Sequence, residues 1–258
     1  MTGILYFVVI VMANTIGSVS GMGGGVIIKP VFDLIAAHSV VAISFYSTVA
    51  VFVMAVVSTW RQIQNGMQVA WKIVAWISCG AFFGGMFGNA VFEELVRLFS
   101  ERTVQLVQMT LLLLVLLFAF LHTRFEMKNF QLHQIIWYVI CGLILGFLTS
   151  LLGIGGGPIN VALLMLMFAL PIKDATVYSL CTILFSQLSK LLTIAVTTGF
   201  ARYDLTLLYF VIPAAVIGGL LGAKASRLFS AGRVTLIFQT VTLAVLFINI
   251  YNMLRLFW

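Results

Sequence analysis

Long apolar runs leave this chain few ways to fold. Residues 40–59, 71–90, 104–121, 176–198, 205–225 and 234–254 each approach the ~20 apolar residues that cross a bilayer as α-helix. Apolar residues make up 62% of the 258, against 14 Lys or Arg and 7 Asp or Glu, and the mean hydropathy is +1.17. A water-soluble domain carries roughly a quarter charged residues, so a charged share of 8% excludes that class. Disorder needs the reverse balance, low hydrophobicity with high charge. The expected fold class is an all-α integral membrane protein. The net charge of +7 then reflects Lys and Arg in short cytoplasmic loops rather than a nucleic-acid partner.

The first ten residues carry no positive charge ahead of their apolar run and no clean cleavage pattern follows, so the first helix is expected to be retained. The longest polar stretch, residues 122–134, is loop-sized and leaves no room for a soluble domain. Cys79, Cys141 and Cys181 lie far apart in apolar runs and read as small hydrophobes. His38, His122 and His133 have no metal-site spacing. No nucleophile–base constellation is present, so the chain reads as a non-enzyme that needs no cofactor and no metal.

Two regions break the pattern. Residues 4–20 run into Gly21-Met22-Gly23-Gly24-Gly25 and then a short apolar piece, 26–36. Residues 135–152 run into Gly153-Ile154-Gly155-Gly156-Gly157 and then 158–170. Each Gly costs a helix interior up to about 1 kcal/mol against Ala, so the helix is expected to break there. Pro158 suits the first position of a new helix. The pieces after the breaks are only about 16–20 Å long as helix, short for a span. They predict two broken-helix hairpins with glycine-rich tips inside the membrane protein. A dinucleotide-binding reading of these glycines fails, because no strand precedes them.

The breaks recur at an offset of 132 residues. In the same order, Gly84-Gly85-Met86-Phe87-Gly88 answers Gly218-Gly219-Leu220-Leu221-Gly222, and Arg97-Leu98-Phe99-Ser100 answers Arg227-Leu228-Phe229-Ser230. The ordered set predicts two homologous repeats in one membrane domain, residues 1–123 and 124–258. If each hairpin returns to its starting side, each repeat adds three crossings and the two are inverted. Arg61, Lys72, Arg124, Lys128, Lys173, Lys224, Arg227 and Arg233 then share one side, and Arg97, Arg102, Arg202 and Arg255 the other. That excess obeys the positive-inside rule, with both termini outside. Four crossings per repeat would split the basic residues evenly.

Inverted repeats with interrupted helices form transporter sites in which half-helix N-termini point at anionic substrate near the midplane. The first amides of a helix lack intrahelical partners and carry about half a positive charge. Glycines let the backbone approach an anion closely. The candidate substrate-binding residues at the breaks are therefore Gly23, Gly24, Gly25 and Val26, with Gly155, Gly156, Gly157 and Asn160; Ile159 and Asn160 are expected to present their amides. Ser179, Thr182, Ser186 and Lys190 share one helix face, answered more loosely by Ser44, Ser47 and Thr48. Hydroxyls donate to oxyanions, and a cation deep in a span is costly and usually functional. The competing readings are close helix packing for the glycines, back-bonding for the hydroxyls and snorkelling for Lys190. Lys29 and Asp33, four apart, form a mutual pair or a coupling site in which Asp33 accepts a proton. Glu93, Glu94 and Glu101 read as solvated loop residues.

Two Gly-x-Gly-Gly-Gly breaks, one followed by Val26-Ile27-Ile28-Lys29-Pro30 and one by Pro158, in a membrane chain of this length resemble the sulfite exporter TauE/SafE family. The likeness covers nearly the whole chain. It implies an anion carrier of bacterial cytoplasmic (inner) membranes, with the glycine tips at the substrate site and export of sulfite or organosulfur anions. The expected function is thus a secondary transporter of a small anion working by alternating access. The alternatives are an anion channel on the same framework or a non-transporting membrane assembly protein. Lipid and the anion are the expected partners, and proton or sodium coupling and a homodimer stay open.

Overall fold

The computed structural model describes residues 2–35, 37–64, 70–125 and 128–256. Among these the chain is helical with no strand: α1 (Thr2–Ser20), α2 (Gly25–Ile35), α3 (Val40–Gln64), α4 (Trp71–Leu98), α5 (Glu101–Arg124), α6 (Ile135–Leu152), α7 (Pro158–Phe168), α8 (Ile172–Thr197), a 3-10 turn at Leu205–Leu207, α9 (Leu208–Leu228) and α10 (Ala231–Arg255). Eight helices are long and apolar enough to cross a membrane, α1 and α6 among them. The other two, α2 and α7, have 11 residues each. The expected spans are all present, but several run further than expected. Helix α4 continues to Leu98 through Glu93 and Glu94, which are therefore helical, not loop, residues. The short piece expected over 26–36 is helical over Gly25–Ile35, and Ala36 lies outside the described residues; the one expected over 158–170 stops at Phe168.

Local chemistry sets the helix ends. The serine of each repeated Arg-Leu-Phe-Ser motif is an N-cap. Ser100 Oγ accepts from the Thr103 amide (3.3 Å) and Ser230 Oγ from Arg233 (3.5 Å), satisfying one of the unpaired amides of α5 and α10. Glu101 Oε1 accepts from the Val40 amide at 2.5 Å, so this carboxylate sits at the positive end of α3. Asp204 caps the 3-10 turn, and hydrogen bonds from the Thr206 hydroxyl and amide hold its carboxyl below its ordinary range.

Contacts between distant residues give the helix directions. Added Cβ atoms at Gly80, Gly84 and Gly88 of α4 would meet the carbonyls of Val139, Leu143 and Phe147 on α6. Both sets of numbers rise together, so α4 and α6 run parallel and nearly touch backbone to backbone. Gly218 and Gly222 of α9 approach the carbonyls of Val11 and Thr15 on α1 in the same way. In contrast α5 and α10 run antiparallel, since Gln239 donates to Thr123 O (3.0 Å) and Asn249 to Met109 O (2.7 Å).

The two short helices turn back on their predecessors. Phe130 and Leu132, just ahead of α6, donate to the carbonyls of Leu166 and Met167 at the end of α7 (2.6 and 3.1 Å). Tyr6 of α1 and His38, just beyond α2, are joined by a 2.8 Å hydrogen bond. Each glycine run is therefore the tip of a hairpin.

Small residues at such a crossing let membrane helices pack through close backbone contact. A Cβ at Gly142 of α6 would fall on the Ile77 carbonyl of α4. Gly142→Val is expected to cost at least the ~1–3 kcal/mol of core overpacking, read as a lower midpoint of thermal unfolding in detergent. An unchanged midpoint would mean that α4 and α6 are not held at this distance.

Candidate functional site

The two tips are buried and meet at the centre of the molecule. Gly21–Gly25 and Gly153–Gly157 are all buried. A Cβ added at Gly25 would strike the Ile154 carbonyl and stand 2.8 Å from Ser47 Oγ. At Gly23 it would lie 2.9 Å from Gly155 O, and at Gly156 3.2 Å from Met22 O. The backbone of each tip thus occupies the space that side chains on the other would need. Gly156 has φ +110°, a conformation that L side chains rarely adopt.

These contacts bring the N-termini of α2 and α7 together. Ile27 and Ile28 donate to Gly24 O (3.0 and 2.9 Å), which leaves Gly25 and Val26 to carry the leading amides of α2. In α7 the expected free amide of Asn160 is engaged, donating to Gly157 O at 3.0 Å. This tight first turn consumes it and leaves Ile159 as the leading amide after Pro158. The side chain of Asn160 is fully buried and neither its Oδ1 nor its Nδ2 has a hydrogen-bond partner among the described residues; the same holds for Ser47 Oγ. Buried polar atoms are nearly always paired, so both groups stand out next to two helix N-termini.

Two serines each reach the glycine tip that lies farther from them in sequence. Ser179 on α8 donates to Gly21 O at 2.5 Å. Ser44 on α3 lies 2.5 Å from where a Cβ of Gly153 would stand. Thr48, Thr182 and Ser186 instead donate to carbonyls of their own helices, those of Ser44 (2.7 Å), Tyr178 (2.8 Å) and Ile183 (3.2 Å). Ser179→Ala removes the donor to the first tip and is expected to destabilise by about 1–3 kcal/mol, the cost of stranding a buried carbonyl. Thermal unfolding of the purified variant measures it.

Lys190 is 1% exposed and turns inward rather than snorkelling. Its Nζ donates to Ser44 Oγ (2.8 Å) and to Ser150 O (3.0 Å), and stands 5.2 Å from the centre of the Phe92 ring. Among the described residues no carboxylate lies within ion-pairing distance of it. Lys29 does have one: Lys29 Nζ and Asp33 Oδ2 are 3.0 Å apart, with side chains only 3% and 4% exposed. Glu93, expected to be solvated, pairs with Arg202 at 2.6 Å.

One central residue escaped sequence reasoning. Asn14, fully buried in α1, donates to Ala50 O at 3.2 Å. Its Oδ1 fills the space beside Gly24 where a side chain would otherwise project. An amide midway along an apolar run was the available signal.

A bundle of apolar helices with two crossed hairpin tips at its centre is the architecture on which the sequence comparison bears. The sequence model described as Sulfite exporter TauE/SafE matches residues 6–248. The chain belongs to the TauE/SafE family. Among curated proteins this TauE/SafE chain is similar to the "Probable membrane transporter protein YunE" of Bacillus subtilis (strain 168), with 23% identity over 265 residues, covering 95% of this chain and 96% of the relative. No solved structure matches it. Family membership together with eight membrane-length apolar helices makes it a multi-pass membrane transporter.

Proposed function

We propose that this TauE/SafE transporter is a secondary carrier of a small oxyanion, sulfite or an organosulfur anion, held between the paired N-termini of α2 and α7 and moved by alternating access, with export favoured, in a bacterial cytoplasmic membrane. One observation carries the reading: two glycine tips abut in a buried interior that also holds Lys190, a cation with only neutral acceptors around it. Burying an unpaired charge is costly, and an anion on the tips would supply the missing counter-charge. Helix N-termini, an ammonium group and the unpaired polar atoms of Ser47 and Asn160 are complementary to a compact oxyanion.

The two halves are read as inverted repeats that rock against each other. The antiparallel course of α5 and α10 supports the inversion, as does the return of each hairpin to its starting side. The basic cluster Arg61, Lys224 and Arg227 lines one pocket, while Arg102 and Arg255 line another with Glu101 and Asp33. The first group marks the cytoplasmic face by the positive-inside rule.

Flux of labelled sulfite into proteoliposomes tests the function. Saturable uptake that is accelerated by unlabelled sulfite on the far side is the expected result for a carrier. Unsaturable conductance would replace the carrier by a channel, and no flux of sulfite or sulfoacetate would overturn the substrate class.

A further inference from the structure

We propose that the groove between the ends of α3 and α9 binds an anionic phospholipid, with the phosphate on Arg61, Lys224 and Arg227 and an acyl chain below it. This site is separate from the glycine tips and does not depend on which solute is carried. The two helices run parallel. Tyr46 of α3 donates to Asp204 O just ahead of α9 (3.2 Å), and Ser58 donates to Gly219 O further along (3.2 Å). Arg61 lies in the last turn of α3 and Arg227 in the last turn of α9. Lys224 stands one turn before Arg227, on the same helix face. The three cations line one cavity of about 340 Å³ with Leu220 and Leu221, and no carboxylate shares it.

Arg61 and Leu220 also line a second cavity, of about 510 Å³, whose other walls are Val56, Val57, Trp60, Val216 and the exposed Gln64. The two cavities are therefore one groove, cationic at the helix ends and apolar one to two turns further in. Val56, Trp60, Leu220 and Leu221 are exposed, so the groove opens on the outside of the bundle, where the bilayer lies, and not toward the buried tips. Trp is favoured at the level of the lipid headgroups. Trp60 directly precedes Arg61, which sets the cations at the depth of the lipid phosphates.

Charge decides the occupant. In the repeated Arg-Leu-Phe-Ser motif, Arg97 answers Arg227. Three residues before Arg97 stands Glu94, and the two pair at 3.0 Å. Three residues before Arg227 stands Lys224. The second repeat thus has two like charges where the first has an ion pair, and like charges one turn apart repel. Among the described residues no carboxylate lies within ion-pairing distance of Arg61, Lys224 or Arg227. Arg61 donates to Gln64 Oε1 at 3.5 Å, which is long for a hydrogen bond. The missing counter-charge must come from outside the chain. Basic pockets between membrane helices suit anionic headgroups. A lipid phosphodiester matches the cations and its chain fills the apolar part, which a free phosphate would leave empty.

The test is thermal unfolding of the purified full chain in detergent, titrated with dioctanoyl phosphatidylglycerol. A ligand of the folded state raises the midpoint saturably. Such a rise is expected with phosphatidylglycerol, and none with dioctanoyl phosphatidylcholine or inorganic phosphate. In the triple variant Arg61→Gln, Lys224→Gln, Arg227→Gln the affinity should fall about a hundredfold. That is about fivefold per charge, as for ~1 kcal/mol per basic residue near an anionic surface. The matched triple variant Lys72→Gln, Lys128→Gln, Arg233→Gln removes three exposed cations that line neither cavity, and should keep the native affinity. An equal loss in both triples would reduce the effect to general surface charge and overturn the site. An equal rise with phosphatidylcholine or with phosphate, or no rise with phosphatidylglycerol, would also overturn it. A native dimer that the first triple variant dissociates, measured by light scattering, would give the groove to a second copy instead. If the first triple fails to fold, the three single variants decide: a fivefold loss in each supports the site and unchanged affinity overturns it.

Discussion

Gly25→Ala is expected to abolish transport and to lower the unfolding midpoint in detergent. The added methyl group would fall on the Ile154 carbonyl of the opposite tip. A flexible side chain could swing aside, but this is backbone, and that backbone is itself held in a buried turn. The tips must therefore separate. The stability loss should reach or exceed the ~1–3 kcal/mol typical of overpacking. Transport should suffer more, because groups misplaced by ~1 Å can cost about a hundredfold in rate. Gly232→Ala is the matched control, since a Cβ there meets nothing within 4 Å. It should leave flux unchanged and stability equal or up to about 1 kcal/mol higher, as for Ala over Gly in an open helix position. Flux in proteoliposomes and thermal unfolding of the two variants give the comparison. Native flux in Gly25→Ala would remove the tips from the mechanism.

Lys190→Met should separate stability from function. Methionine has nearly the length of lysine and needs no hydrogen bonds, and the site is 1% exposed. Deleting a buried charge that has no carboxylate partner relieves a desolvation cost. The freed Ser44 hydroxyl and Ser150 carbonyl offset part of that gain. The unfolding midpoint should stay level or rise, by an amount on the order of 1–3 kcal/mol. Anion affinity should fall about a hundredfold, the worth of one charge-assisted contact of about 3 kcal/mol. A folded, stable variant that still binds sulfite with native affinity would show that Lys190 serves packing alone. A variant that loses both stability and binding would assign it a structural role through Ser44 and Ser150.

Both predictions depend on contacts that no single segment of the chain contains. The glycine runs were legible as breaks because glycine and proline act on their own neighbours. Pro158 opens α7, Gly153 ends α6 in a left-handed turn, and the serine of each Arg-Leu-Phe-Ser motif caps the next helix. The hydroxyl stripe was less legible. Sequence spacing placed Ser44, Thr48, Ser179, Thr182 and Ser186 on helix faces but not their hydroxyl protons, and three of the five hydroxyls turn back to their own helices. Asn160 was expected to offer its amide, and a tight first turn used it. Asn14 was missed altogether, because its role depends on Gly24 folding back over it.

What the sequence determined by itself was membrane helix and the two breaks. Those follow from apolar length, from the scarcity of charge and from residues within one or two turns of each other. Tertiary structure alone decided that the tips touch, that Ser179 holds the tip at Gly21, and that Lys190 faces Ser44 while Lys29 faces Asp33. Such partners as Ser44 and Lys190 stand 146 positions apart. In an apolar medium many helix arrangements bury similar surface, so composition cannot choose among them. The choice falls to close backbone approach at glycines and to the few polar groups that must find one another.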